Sequence, residues 1–251
     1  MSQHTLETYI NNCKSEFIHL LGLSDMPNYN LKFKNIVLEF ADKQGYAALA
    51  TAHYNVNTDE HTLEICSALS QSNAKHLIFH ELTHIIDAEN YCKNSKIKFF
   101  QNKAYTEFHA AQIDMVCLLN ADTIMTIPKF DSTKMISTLY GNMTINEYAT
   151  RAHNIASELI VRDDFPSNID TLSAVIGLIF NYYGRRSICK MYSDNYIDNV
   201  DNSAIASLIS TEIVNTLNNY MLGWFDNKKV AALDELCGNM LFALVKKYNL
   251  M

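Results

Sequence analysis

Apolar residues recur at helical spacing along most of the chain and at strand spacing in one early stretch. Leu6, Tyr9, Ile10, Cys13, Phe17, Ile18, Leu20 and Leu21 share one helical face, which predicts an amphipathic helix over 5–22 with Gly22 as its stop. Residues 24–30 have loop composition. Alternation over 31–40 suits a strand, with a helix beginning near Lys34 as the alternative. Stretches 45–56 and 62–68 read as two strands joined by polar residues 57–61, a small antiparallel sheet. Its edge offers main-chain groups to an extended peptide, or it simply covers the core. Helical spacing resumes over 74–87 and about 99–120, with a polar link at 90–98 between them. After a break at 121–131 it continues over 132–140, 144–162, 168–192, 200–223 and 228–248. Thr144 and Glu147 match a capping box. The expected class is α+β and mostly helical: a small antiparallel sheet beside two helices, followed by an all-helical C-terminal half. The expected division is 1–125 and 126–251.

Composition agrees with long elements and a sizeable core. Of 251 residues only 7 are Gly and 3 are Pro, so turns are few, and 48% are hydrophobic. The formal charge of −7 gives no support to a nucleic-acid partner. Cys13, Cys66, Cys92, Cys117, Cys189 and Cys237 are scattered, with no C-x-x-C pair, and read as reduced, mostly buried thiols. The first residues lack a basic and then apolar leader, so no signal peptide is expected. The longest apolar run, near 172–180, is too short to span a bilayer. These features predict a cytoplasmic protein without a membrane or nucleic-acid partner, and they carry no signal of oligomeric state.

One motif changes the picture. His80-Glu81-Leu82-Thr83-His84 reads H-E-x-x-H. Residues four apart on a helix lie on one face, so His80 and His84 aim two imidazoles at one point, two corners of a tetrahedral zinc site. Glu81 sits beside that point, where a carboxylate can take a proton from an attacking water. Leu77, Ile78, Leu82, Ile85 and Ile86 supply the apolar stripe such a helix needs, and Ser70, Ser72 and Asn73 are candidate N-caps. His53 and His61 read as surface or turn histidines.

A catalytic zinc usually has three protein ligands and an open position. Glu107 is the first choice for the third. The short link folds its helix back antiparallel, and Ala110 and Ala111 allow two helices to approach closely. His109 is a rival, but it projects about 200° from Glu107 around the helix, so both cannot face one ion. Asp87 follows His84 on the motif helix, and Asp114 lies two turns beyond Glu107. Both are candidates to orient a ligand imidazole. His76 reads as a helix-start residue rather than a ligand.

His80, Glu81 and His84 with downstream Glu107 resemble the zincin metallopeptidases, in the gluzincin branch that includes the thermolysin-like enzymes. The layout over 45–120, strands then motif helix then glutamate helix, is also similar to small intracellular metallopeptidases of phage and stress-response systems. The resemblance implies a Zn2+ ion held by His80, His84 and Glu107, with Glu81 as general base and an upstream strand lining a peptide or protein substrate. Two departures stand out. The thermolysin-like pattern has aspartate four residues after the ligand glutamate, where this chain has Ala111. No single residue is marked for stabilising an oxyanion, and Tyr105, His109, Tyr140, Tyr148 and His153 are all candidates. The expected function is zinc-dependent peptide hydrolysis by the 1–125 subdomain, with 126–251 walling the cleft. The alternative is a zincin-fold module that binds a protein without cleaving it.

Overall fold

A computed structural model describes residues 3–35, 49–67, 69 and 74–250. They belong to two compact units, one drawn from 1–99, 113–128 and 136–142, the other from 100–112, 129–135 and 143–251.

In the first unit, helix α1 (Gln3–Leu21) buries Leu6, Ile10, Cys13, Phe17 and Leu20, the stripe its spacing predicts. Gly22 ends it at φ 65°, and Leu23 N–H reaches back to the Ile18 carbonyl at 3.0 Å. Strands β1 (Tyr29–Lys34), β2 (Ala50–Asn55) and β3 (Glu60–Cys66) form one sheet in the order β1-β3-β2. The β2–β3 hairpin is antiparallel, with Ala52 opposite Leu63. β1 joins β3 in parallel, which makes the sheet mixed rather than purely antiparallel. Expected strand residues 36–40, 45–48 and 68, with the N-cap candidates Ser70, Ser72 and Asn73, lie outside the described residues.

His61 corrects an expectation. It is 3% exposed, because it shares the inward face of β3 with Leu63 and Ile65. His53 is exposed, as expected, with Nε2 3.3 Å from Glu64.

Helix α2 (Lys75–Asp87) carries the motif and continues into a π-helical turn, Ala88–Cys92. Ile78, Phe79, Leu82 and Ile85 are buried, and the Phe79 ring meets Phe17 edge-on at 5.4 Å. Burying each such side chain contributes about 1.5–3 kcal/mol, which fixes the inward face of α2 and so the direction of the opposite one. The link expected at 90–98 is partly helical: α3 (Lys96–Gln101) precedes α4 (Lys103–Leu118).

The helix expected over 132–140 is absent. A hairpin, β4 (Met135–Thr138) and β5 (Gly141–Thr144), stands there instead. Ile136 and Thr138 point inward while Met135 and Ser137 are exposed, and Gly141 turns the chain at φ 97°. In the second unit, α5 (Ile145–Ile160) begins at the predicted capping box, with Glu147 N–H on Thr144 Oγ1 at 3.1 Å. α6 (Ile169–Tyr192) packs along α5. The helix expected over 200–223 is two helices, α7 (Ser203–Ile209) and α8 (Thr211–Tyr220). Ser210 separates them at φ 81°, and its hydroxyl accepts from Ile213 N–H at 3.3 Å. α9 (Asn227–Lys247) completes the chain.

Asp198 ties the segment after α6 to that helix. It accepts from Tyr182 Oη at 2.6 Å, and Lys190 Nζ lies 3.1 Å away with Arg186 Nε closer still. Burial pushes its carboxyl up, but these donors outweigh burial and hold it below the ordinary 3.8. The stabilisation is therefore complete above 3.8 and is lost as pH falls through the lower folded value. Urea midpoints of wild type and Asp198→Asn should differ fully at neutral pH and converge as pH falls below the ordinary carboxylate range. A constant difference would contradict this role.

All six cysteines are buried, and none is in a disulfide. Burial pushes the Cys13 thiol up to about 11 and the Cys117 and Cys189 thiols up to about 12. Among the described residues, no helix is long and apolar enough to cross a membrane.

Candidate metal centre

The inward packing of Ile78, Leu82 and Ile85 leaves His80 and His84 together on another face of α2. Their ring centroids are 4.8 Å apart and nearly perpendicular, at 81°. Glu107 stands on α4, and the ligand atoms of His80, His84 and Glu107 all lie within 4.8 Å of one another. Two imidazoles and one carboxylate are the donors zinc favours in hydrolytic sites. His80 and Glu107 are each 8% exposed, whereas His84 is more open. The set fits the ion.

Neighbouring groups bear on two of the three side chains, His80 and Glu107. Asp114, buried on α4, places Oδ2 3.6 Å from His80 Nδ1. That separation is longer than a hydrogen bond, so the carboxylate acts on Nδ1 through its charge and favours ligation through Nε2. Lys103, one turn before Glu107, pairs with its Oε1 at 2.5 Å. Behind Glu107 lies Gly177 of α6, where a Cβ would meet Oε1 at 3.2 Å and Cδ at 3.3 Å.

Glu81 is 8% exposed, and its Oε2 accepts the Ala52 N–H of β2 at 2.7 Å. Among the described residues β3 is the one strand paired with β2, so this N–H leaves the sheet on the other edge. The motif carboxylate is thereby held against β2, an edge strand among the described residues.

Asp87 is also buried, at the end of α2. His109 is turned to aromatic company, stacked on Tyr105 at 5.4 Å and edge-on to Trp224 at 6.4 Å. His76 is buried and stands outside the converging group. Among the oxyanion candidates, Tyr148 is buried with the Arg185 guanidinium 4.1 Å from its ring centre. His153 meets Asn202 at 3.2 Å, and Tyr140 is 51% exposed on the β4–β5 hairpin. Ala111 faces Gly184 of α6, whose Cβ would lie 2.8 Å from its own. Ala111 is fully buried, so the aspartate of the thermolysin-like pattern would bury a carboxylate there.

Three contributors escape sequence reasoning: Lys103, Gly177 and the Ala52 N–H. The four-residue spacing of Lys103 and Glu107 is a usable signal, and a glycine inside a helix hints at close approach. A main-chain donor leaves no trace in residue type.

Gly177→Ala should weaken zinc affinity about tenfold, since displacing a ligand's support commonly costs that much. Helix propensity alone would leave folding stability equal or slightly higher. Competition with a chromophoric chelator reads the affinity, and an unchanged value would remove Gly177 from the site.

Compared with protein-family models, curated proteins and solved structures, the chain matches none.

Proposed function

We propose that the chain is a zinc-dependent peptidase, with His80, His84 and Glu107 as metal ligands and Glu81 as general base. The convergence of these three ligand atoms within 4.8 Å, beside a glutamate anchored to β2, supports the reading. When bound, zinc supplies a Lewis acid that polarises a carbonyl and makes water acidic enough to attack near neutral pH.

The chain's own residues do the rest. Glu81 accepts the proton of the attacking water and passes it to the leaving amine. The Ala52 N–H keeps that carboxylate from swinging away between the two transfers. Asp114 orients His80, while Lys103 and Gly177 hold Glu107. Main-chain groups on the outer edge of β2 pair with an extended substrate, so affinity comes from the backbone and leaves selectivity to side chains. Six buried thiols, none in a disulfide, suit a reducing, cytoplasmic setting.

The test is a peptide pool incubated with purified protein. Cleavage should stop with a chelator and return with one equivalent of zinc. Stoichiometric zinc without any cleavage would leave a protein-binding module in place of an enzyme.

A further inference from the structure

A basic and apolar surface follows the motif helix. Lys93, Lys96 and Lys98 lie between Glu89 and Glu107, a stretch without aspartate or glutamate in a chain of net charge −7. α3 buries none of its residues: Ile97 is 72% exposed and Phe99 44%. Lys93 leans towards Glu89 at 3.4 Å. Among the described residues Lys96 and Lys98 have no acidic partner. This local charge is therefore available to a ligand.

The surface is fastened to the strand that holds Glu81. The Phe99 ring lies 5.8 Å from that of Tyr54, whose Oη accepts from Asn94 N–H at 2.9 Å and donates to Asp59 Oδ1 at 2.6 Å, so one carboxylate, already hydrogen-bonded, borders the aromatic pair. Tyr54 is two residues beyond Ala52 on β2, so both present main-chain groups to the same edge. Two strand residues advance the chain by about 7 Å. A peptide laid along this edge with its scissile bond near Glu81 runs next past Tyr54, towards Phe99 and the short helix it shares with Lys96 and Lys98.

We infer that the chain selects peptides with an apolar residue followed by acidic residues on the Tyr54 side of the scissile bond. The aromatic pair takes the apolar side chain and the lysines take the carboxylates. The position of the scissile bond rests on the peptidase reading; the charge and apolar preference rest on the surface itself. A basic, aromatic surface also suits an anionic membrane, but its attachment to the edge strand beside Glu81 favours a peptide.

The experiment measures binding to full-length, zinc-supplied Glu81→Gln protein by fluorescence anisotropy. Two extended peptides share one sequence except for the residues after a phenylalanine, which are Asp-Glu in one and Lys-Lys in the other. The acidic peptide should bind about tenfold tighter, and the gap should shrink with added salt. Lys96→Glu with Lys98→Glu should reverse the preference, a result that misfolding does not produce. Equal binding of both peptides, or no binding of either, overturns the inference. So does a preference that the double variant leaves in place, or binding only to phosphatidylserine vesicles. Zinc content and cleavage by the Glu81-containing protein, measured separately, show whether the peptidase reading fails as well.

Discussion

Replacing Glu81 with glutamine should lower peptide cleavage about a thousandfold, in the range expected for loss of a general base, while bound zinc stays stoichiometric. Glutamine keeps an oxygen that can accept the Ala52 N–H, so the strand and α2 remain joined. It has no carboxylate to take a proton. Glu81 is outside the converging ligand set, which is why metal content should not follow activity. Steady-state kinetics with metal analysis on the same preparation separates the two. Cleavage at the wild-type rate would remove Glu81 from the chemistry, and joint loss of zinc and activity would give it a structural role instead.

Gly184→Ala should destabilise the second unit by about 3 kcal/mol, the upper part of the usual overpacking range. A Cβ there would overlap the Phe108 carbonyl oxygen and lie 2.8 Å from the Ala111 Cβ, and neither can move without shifting α4. Helix propensity would favour the alanine by up to about 1 kcal/mol, too little to offset such an overlap. Urea denaturation measures the loss. The contrast with Gly177→Ala is informative, because there the nearest atoms belong to a side chain that can yield by a few tenths of an ångström. One substitution should cost folding stability, the other zinc affinity. An unchanged urea midpoint in Gly184→Ala would mean that α4 and α6 are packed less tightly than the structure shows.

Much of the fold was legible wherever one periodicity ran long enough. The stripe of α1, the apolar face of α2 and the Thr144–Glu147 cap each follow from local spacing. Elements governed by two or four residues were harder to read. The β4 strand has four residues, too few for alternation to outweigh a helical pattern. Ser210 reads as an ordinary helix residue until its hydroxyl is seen capping the next helix. His61 is buried because the face it shares with Leu63 and Ile65 outweighs its polarity.

The candidate site divides along the same line. His80, Glu81 and His84 lie within one turn, so their mutual placement needs only a helix. Glu107 and Asp114 follow from their positions on the next helix. Gly177 and the Ala52 N–H were out of reach, since both meet the site through contacts between residues far apart in sequence.

The most direct test is a metal count on purified protein after zinc supply and desalting, beside His84→Ala treated the same way. One zinc per chain in the wild type and none in the variant is the expected result. A wild type that holds no zinc, or a variant that keeps its full equivalent, would contradict the metal centre and the peptidase proposed from it.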